Sequence, residues 1–416
     1  MLIEFSVANY RSFRDRQAFS FVATTSREHE KTHVFDPKTP GVERLLRSAV
    51  MYGANAAGKS NLLRAIDTMH DIVLLRNQLG DSLPVTQFLL DDLDKSKGSQ
   101  FEVVFIEGGC KYQFGFVCTS ERVIEEWLYA FPDKRAQKWY HRTLGSDAGD
   151  CWDFGGLFRG KKKDWSEATR SNALFLSTAI QMNAEPLRPV FDWFKSRLRV
   201  VVGVGAVAKD YTTQMLVSHS EKIVDLVKNA DSGISAFELF KKSPGDFFEE
   251  ILKKTVDEDI RDQILNSAST AVRVKRANNI GSDIWFDLDD ESEGTQKLFA
   301  WAGPFLDVLE NGLVLIIDEL NNSLHPVMVK WIVDTFNNST SNPNNAQLFF
   351  ATHGTSVLSL DIFRRDQIWF AEKSKSGSTA IYPLTDFSPR KEVALSKGYL
   401  NGRYGAIPFL AAGNIE

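Results

Sequence analysis

Cysteine is scarce in this chain, with three among 416 residues: Cys110, Cys118 and Cys151. The number is odd, no CxxC pair occurs, and the neighbours are apolar or aromatic. Disulfides and a zinc centre are therefore excluded in favour of reduced packing residues in a cytosolic setting. Long apolar runs are missing too. No segment reaches the ~18 residues of a membrane span, and "MLIEFSVANYRSF" carries no basic leader ahead of an apolar core, which predicts a soluble protein without membrane contacts. Excess positive charge is also absent. At a formal net charge of -5 with 25% charged residues, bulk electrostatics do not favour a polyanion, so any nucleic-acid contact is local. Neither an internal repeat nor a sustained heptad occurs, which excludes a long coiled-coil tether.

What the chain has is length and punctuation. More than 400 residues exceed one hydrophobic core, which predicts a large α/β unit with an inserted or appended subdomain. The short apolar run "LLRSAVMYG" feeds a glycine loop, and "NLLRAIDTMHDIVLLRNQL" then shows apolar residues at three- and four-residue spacings, giving strand, loop and helix. "FEVVFIEGGCKYQFGFVC" reads as a hairpin around Gly108 and Gly109, and "RVIEEWLYAF" with "KWYHR" extends it into an antiparallel meander. From about 209 to 268 the pattern reads as short helices broken at "DSG" and "KSPGD", a helical lid. "GLVLIIDEL", "AQLFFATHG" and "DQIWFAE" then read as strands of a parallel sheet buried on both faces. The expected organisation is an N-terminal half (1–205), a helical insertion (206–275) and a C-terminal half (276–416) of one nucleotide-binding lobe.

The chemistry concentrates in a few short stretches. In "GANAAGKS", residues 53–60, Gly53 and Gly58 permit tight turns whose N–H groups face phosphate oxygens, Lys59 reaches the β/γ-phosphates, and Ser60 ligates magnesium. In "LVLIIDEL", Asp318 organises magnesium at a strand end and Glu319 orients water as general base. One helix ahead of that strand, "ESEGTQKLF" puts Ser292 and Gly294 where the Ser and second Gly of an ABC signature stand, and a hydroxyl with glycine-exposed amides at a helix start binds anions. "LFFATHG" ends a buried strand near His353, and "FLSTAIQMN" offers Gln181 to complete the magnesium and water shell, with Gln87 of "VTQFLL" as the competing choice. Outside these stretches there is no clustered set of metal-ligating carboxylates, Ser/His/Asp or Cys/His residues.

Taken in order, "NYRSF", "GANAAGKSN", "ESEGT", "LIIDEL" and "ATH" resemble the ABC/SMC-like ATPases of the RecF kind over nearly the whole chain. "SLHP" after the strand-end acids and the ending "KGYLNGRYGAIPFL" look like the compact bacterial ATPases of the RloA and AbiL type, associated with phage defence. The fold so implied is an ABC/SMC-like P-loop head with an antiparallel meander and a helical lid. The resemblance implies ATP with magnesium, Arg11 close to the nucleotide, Asn55 at the loop tip, Asn61 in the nucleotide-binding set, and His353 as sensor of the γ-phosphate. It also implies two heads sandwiching two ATP molecules, so that Ser292 and Gly294 act across a homodimer or larger homo-oligomer. Glu293 and Thr295 depart from the LSGGQ pattern and His325 stands where transporters carry an Asp, so slow or partner-dependent hydrolysis is expected.

The function so implied is an ATP-hydrolysing sensor or regulator of abortive infection that controls a separate effector, such as a nuclease. Two alternatives stay open. One is a RecF-like repair clamp that contacts DNA through "RGKKKDWSEATR" (159–170) or "RVKRANN" (273–279). The other is a scaffold that binds ATP without hydrolysing it.

Overall fold

The computed structural model describes residues 1–75, 78, 80–90, 97–146, 149–202, 209–228, 233–241, 270–277, 283–321, 324–387 and 395–407. The chain divides into two compact units. The first comprises Met1–Gly203, Val308–Asn322 and Val329–Glu416, and the second Val204–Asp307 with Ser323–Met328. The first unit is therefore discontinuous in sequence.

The first unit carries a six-stranded sheet in the order β11-β15-β16-β5-β17-β18, built from β5 (Ser48–Tyr52), β11 (Leu198–Val201), β15 (Val314–Ile317), β16 (Gln347–Ala351), β17 (Ile368–Lys373) and β18 (Thr379–Pro383). The first five run parallel, and β18 closes the edge antiparallel to β17. "SAVMY", "VLII" and "QLFFA" are buried at every position, as a parallel sheet covered on both faces requires. Behind β5, helix α2 (Lys59–Leu74) buries Leu62, Leu63, Ile66, Met69, Ile72 and Val73, the face that its three- and four-residue spacing predicts. It follows a single helical turn, α1 (Glu30–His33).

A seven-stranded antiparallel sheet, ordered β10-β9-β8-β7-β6-β1-β2, completes this unit together with a short β3-β4 pair. Its strands are β1 (Leu2–Ala8), β2 (Gln17–Ser20), β6 (Ser99–Glu107), β7 (Cys110–Cys118), β8 (Val123–Phe131), β9 (Gln137–Leu144) and β10 (Asp150–Phe154), while β3 is Val34–Phe35 and β4 is Leu45–Leu46. The β6-β7 hairpin turns at Gly108 (φ 58°) and Gly109 (φ 73°), a left-handed pair that two glycines adopt without strain. All three cysteines are free thiols. Only Cys118 is buried, however, and Cys151 is exposed: on β10 the alternation turns Trp152 inward and Cys151 out.

Helix α3 (Lys162–Ala168) leads to α4 (Phe175–Gln181), whose start rests on one buried carboxylate. Glu126 of β8 accepts hydrogen bonds from the Phe175 and Leu176 amides (2.7 and 3.1 Å) and from the Tyr140 hydroxyl (2.9 Å). Burial pushes the Glu126 carboxyl upward, and the fully buried Arg142, 3.9 Å away, opposes that shift together with the three hydrogen bonds.

A second polar cluster anchors the start of β5. His33 Nδ1 donates to Gln367 Oε1 (2.7 Å), and Gln367 Nε2 donates to the Ser48 carbonyl (2.9 Å). Burial pushes the His33 imidazole down from 6.5 to about 4, aided by His29, Arg364 and Arg47 and opposed by the Gln367 hydrogen bond. Between these values the unfolded chain holds a proton that the folded one lacks, so this contribution to stability is complete above 6.5 and lost as pH falls towards 4. The melting temperature is expected to drop across that window, and a His33→Gln variant to show a shallower dependence when melts are recorded at successive pH values.

In the second unit, the segment expected to be a helical lid is only partly helical among the described residues. After α5 (Arg188–Asp192, in the first unit) comes α6 (Lys209–Lys228), kinked at His219, followed by an antiparallel sheet of β12 (Ile234–Lys241), β13 (Thr270–Ala277) and β14 (Asp283–Asp287). "TAVRVKRA" alternates with period two, burying Val272 and Val274, while "ISAFELFK" buries Ile234 and Phe237 across an irregularity in register between Ile234 and Ala236. Their charged outward residues obscure that alternation in the sequence. Residues 242–269 of the expected lid lie outside the described residues, and the unit extends past residue 275 to Asp307. The long helix α7 (Glu293–Asn311) begins in it. No described helix is long and apolar enough to cross a membrane, and the longest, α6, has 20 residues, too few for a coiled-coil tether.

Candidate nucleotide site

The glycine loop leaves β5 where the sequence places it. At Gly53 a Cβ would stand 2.5 Å from the Ala371 carbonyl oxygen of the adjacent β17, so a side chain has no room. At Gly58 (φ 106°) a Cβ would meet Thr379 Oγ1 at 2.2 Å. Between them Ala56 is also left-handed (φ 62°), and α2 starts at Lys59. Among the described residues, the backbone N–H groups of Asn55, Ala56, Gly58, Lys59 and Ser60 have no hydrogen-bond partner. Such a run at a helix start is an anion cradle.

Lys59 is buried, and its Nζ donates to the Gly53 and Ala54 carbonyls (2.7 and 3.0 Å). An ammonium has three donors, so one is left for a phosphate oxygen. Burial lowers the Lys59 pKa, while Asp318 and Glu319 raise it, which places both carboxylates within electrostatic reach of the loop. Asp318 follows β15, and its amide donates to the Val201 carbonyl (3.0 Å). Its Oδ1 is buried without a hydrogen-bond partner, an arrangement suited to a bound cation or its water. Glu319 adopts φ 55°, a conformation that costs a non-glycine residue about 1 kcal/mol or more and that collects at functional sites. A magnesium nucleotide fits these groups: the cradle and Lys59 suit its phosphates, and Ser60 with Asp318 suits the cation.

Beside the cradle lies the "NYRSF" turn. Arg11 is left-handed (φ 50°), its amide donates to the Thr86 carbonyl, and its exposed guanidinium donates to the Tyr10 hydroxyl (3.0 Å). Asn61 Nδ2 donates to Ser12 Oγ (2.8 Å), so its side chain serves this turn instead of the phosphate position. Asn55 is exposed at the loop tip, as expected.

Beyond β16, Thr352 Oγ1 donates to Asn321 Oδ1 (2.6 Å) and accepts the Gly354 amide (3.0 Å), pinning the turn that presents the exposed His353 to the segment after Glu319. Sequence reading missed this pair, whose one signal is the Thr that precedes His353 in "ATHG". Gln181 ends α4 as an exposed residue, and Gln87 commits its amide to the Lys97 carbonyl (2.6 Å). No hydrogen bond joins either side chain to the loop among the described residues.

In the second unit, Ser292 caps α7: its Oγ accepts the Thr295 amide (3.2 Å) and lies 3.0 Å from the Thr295 hydroxyl. Ser292 is exposed, and Gly294 follows in the first turn. His325 caps helix α8 (Pro326–Asn337) through the Val327 amide. The basic stretch 273–279 is neutralised where it is described, with Arg273 on Glu238 (2.9 Å), Lys275 on Asp283 (2.5 Å) and Arg276 on Glu291 (2.7 Å).

No curated protein matches the chain. Among solved structures it is similar to the SMC head domain from Thermotoga maritima (13% identity, 92% of this chain and 98% of that one, TM-score 0.40) and to an Smc head bound to the C-winged helix domain of ScpA (12%, 92% and 97%, 0.40). It is also similar to the recombination mediator RecF of the RecFOR pathway (12%, 92% and 98%, 0.33). Residues 48–359, well over half of the chain and the whole run from the glycine loop through His353, match the family described as "AAA domain, putative AbiEii toxin, Type IV TA system", and the chain belongs to that family.

Proposed function

We propose that the protein binds and hydrolyses ATP as the sensor or regulator of a bacterial phage-defence system of the abortive-infection kind, and that it controls a separate effector. The observation that carries this reading is the five-amide cradle closed by Lys59, with Asp318 and Glu319 within electrostatic reach. In it Lys59 and the amides bind the triphosphate, Ser60 and Asp318 hold magnesium, and Glu319 takes a proton from the attacking water. His353, on the turn pinned by Thr352, senses the γ-phosphate. Gln181 is assigned to the magnesium shell and Arg11 to the nucleotide by resemblance to RecF-like heads. Ser292, exposed at the start of α7, and the half-buried Gly294 are assigned to the ATP of a second copy in a head dimer. The family description, with its toxin and toxin–antitoxin vocabulary, and the RloA- and AbiL-like ending support a role in defence.

The experiment is a phage-plating assay on cells carrying the native locus. Lys59→Ala and Glu319→Gln are each expected to abolish protection, and unchanged protection in both overturns the reading. Purification of the Glu319→Gln protein with ATP and magnesium then separates the partners. A stoichiometric protein effector supports regulation, whereas enrichment of DNA points to a repair clamp, a reading that the ion-paired cations of residues 273–277 do not favour.

A further inference from the structure

We infer that Thr379 is a positioning residue for nucleotide binding, acting with Ser12 to fix the direction of one peptide in the phosphate loop. Both residues lie outside the 48–359 segment that matches the family; Thr379 belongs to none of the motifs read above, and Ser12, next to Arg11 in "NYRSF", has no role of its own there. The inference rests on the reading of residues 53–60 as a phosphate cradle.

Thr379 begins β18 and is buried, 1% exposed, against the loop. Its Oγ1 lies 2.9 Å from the Ala57 carbonyl oxygen and 2.8 Å from Ser12 Oγ, and Ser12 Oγ accepts Asn61 Nδ2 at 2.8 Å. Each hydroxyl has one proton, and a carbonyl only accepts. The pair of hydroxyls is oriented for Thr379 to donate, so its one proton is shared between the Ala57 carbonyl and Ser12 Oγ, which also accepts the Asn61 amide. One hydroxyl thereby ties the loop to the "NYRSF" turn. The Thr379 amide also donates to the Ser12 carbonyl (2.7 Å), which locks the two segments together.

The consequence follows from peptide geometry. In a planar trans peptide the C=O and N–H point in opposite directions, so holding the Ala57 carbonyl on Thr379 turns the Gly58 N–H to the other side. That N–H is one of the five unpartnered amides of the cradle. Thr379 also fills the space that a Cβ at Gly58 would need, so the same residue makes glycine obligatory there and directs its amide.

The test uses the full chain with three substitutions. Thr379→Val keeps the shape and removes the hydroxyl, Thr379→Ser keeps the hydroxyl and removes the methyl, and Ser12→Ala removes the acceptor that competes with Ala57 for the Thr379 proton. Calorimetric titration with ATP and magnesium is expected to show about tenfold weaker binding for Thr379→Val, with near-normal affinity for Thr379→Ser and for Ser12→Ala, which leaves the Thr379 proton to Ala57. In steady-state assays the Val variant raises KM and leaves kcat within about twofold. Wild-type affinity in Thr379→Val, or an equal loss in Thr379→Ser, overturns the inference, because the hydroxyl is then immaterial. Hydrogen exchange over residues 53–61 supplies a readout without nucleotide: faster exchange in the Val variant but not the Ser variant upholds the role of the hydroxyl, and equal exchange refutes it. Should the wild type bind no ATP, the nucleotide reading fails on its own, and exchange still decides the role of Thr379.

Discussion

Replacing Glu319 with glutamine is expected to lower the rate of phosphate release by about 100-fold or more while ATP binds within a few-fold of the wild-type affinity. The amide preserves the shape of the side chain and removes its capacity to accept a proton. In the proposed reading binding depends on other groups, namely the loop amides, Lys59, and Ser60 and Asp318, which would hold the cation. The strained backbone of Glu319 (φ 55°) carries a second consequence. That conformation sets the direction in which the carboxylate leaves β15, so Glu319→Asp, shorter by one methylene, is expected to rescue little. Single-turnover phosphate release, measured beside equilibrium binding on the same preparations, separates the two effects. Turnover at the wild-type rate in Glu319→Gln would place the base on another residue, with His353 the next to test.

A comparably large effect, on stability, is expected far from the loop. Glu126→Ala removes one carboxylate and strands four partners at once: the Phe175 and Leu176 amides, the Tyr140 hydroxyl and the Arg142 guanidinium. Breaking a buried charge pair from one side costs about 3–5 kcal/mol, and the orphaned amides at the start of α4 add to it. Arg142 retains Asp150 (2.7 Å) and the Ala173 and Arg170 carbonyls, so the loss stays towards the lower end of that range. Denaturant titration followed by tryptophan fluorescence reads the change, since Trp152 packs on Phe175 (5.1 Å between centroids) at the affected corner. The double variant Glu126→Leu, Arg142→Met is expected to regain part of the loss, because an apolar pair leaves no charge buried alone.

The two sets of features differ in how far along the chain their causes lie. The glycine loop, the strands β5, β15, β16 and β17, and helix α2 are legible because each is dictated by a contiguous pattern: glycine spacing, an unbroken apolar run, or apolar residues on one helical face. The β6-β7 hairpin is legible for the same reason, since two adjacent glycines specify its turn. Strands β12 and β13 fall in the segment whose sequence suggests a helical lid because their outer faces carry Glu238, Arg273 and Lys275, and those charges find partners only once the sheet has formed. The supports of the site are harder still to see. Ser12 and Thr379 are 367 residues apart, and Asn321 and Thr352 are 31 apart. Hydroxyl and amide side chains of this kind carry no periodicity, so only the folded chain identifies them. Cys151 shows the converse, in which local aromatic neighbours suggest burial and strand alternation turns the thiol outward.

The placement of β5 bears on how the protein is made. Its neighbours in the sheet, β16 and β17, begin at Gln347 and Ile368, whereas β5 itself ends at Tyr52. At about 5–20 residues per second, a ribosome needs roughly 15–60 s to travel from the one to the other. Throughout that interval "SAVMY", buried at every position in the finished sheet, has neither of its native partners, and both its edges are open to other chains. The seven strands of the antiparallel sheet all lie before residue 155 and can pair first, so the nascent chain carries a finished meander beside an unfinished nucleotide lobe. The phosphate loop therefore gains its support last, and competence to bind nucleotide marks a chain whose synthesis has passed β17.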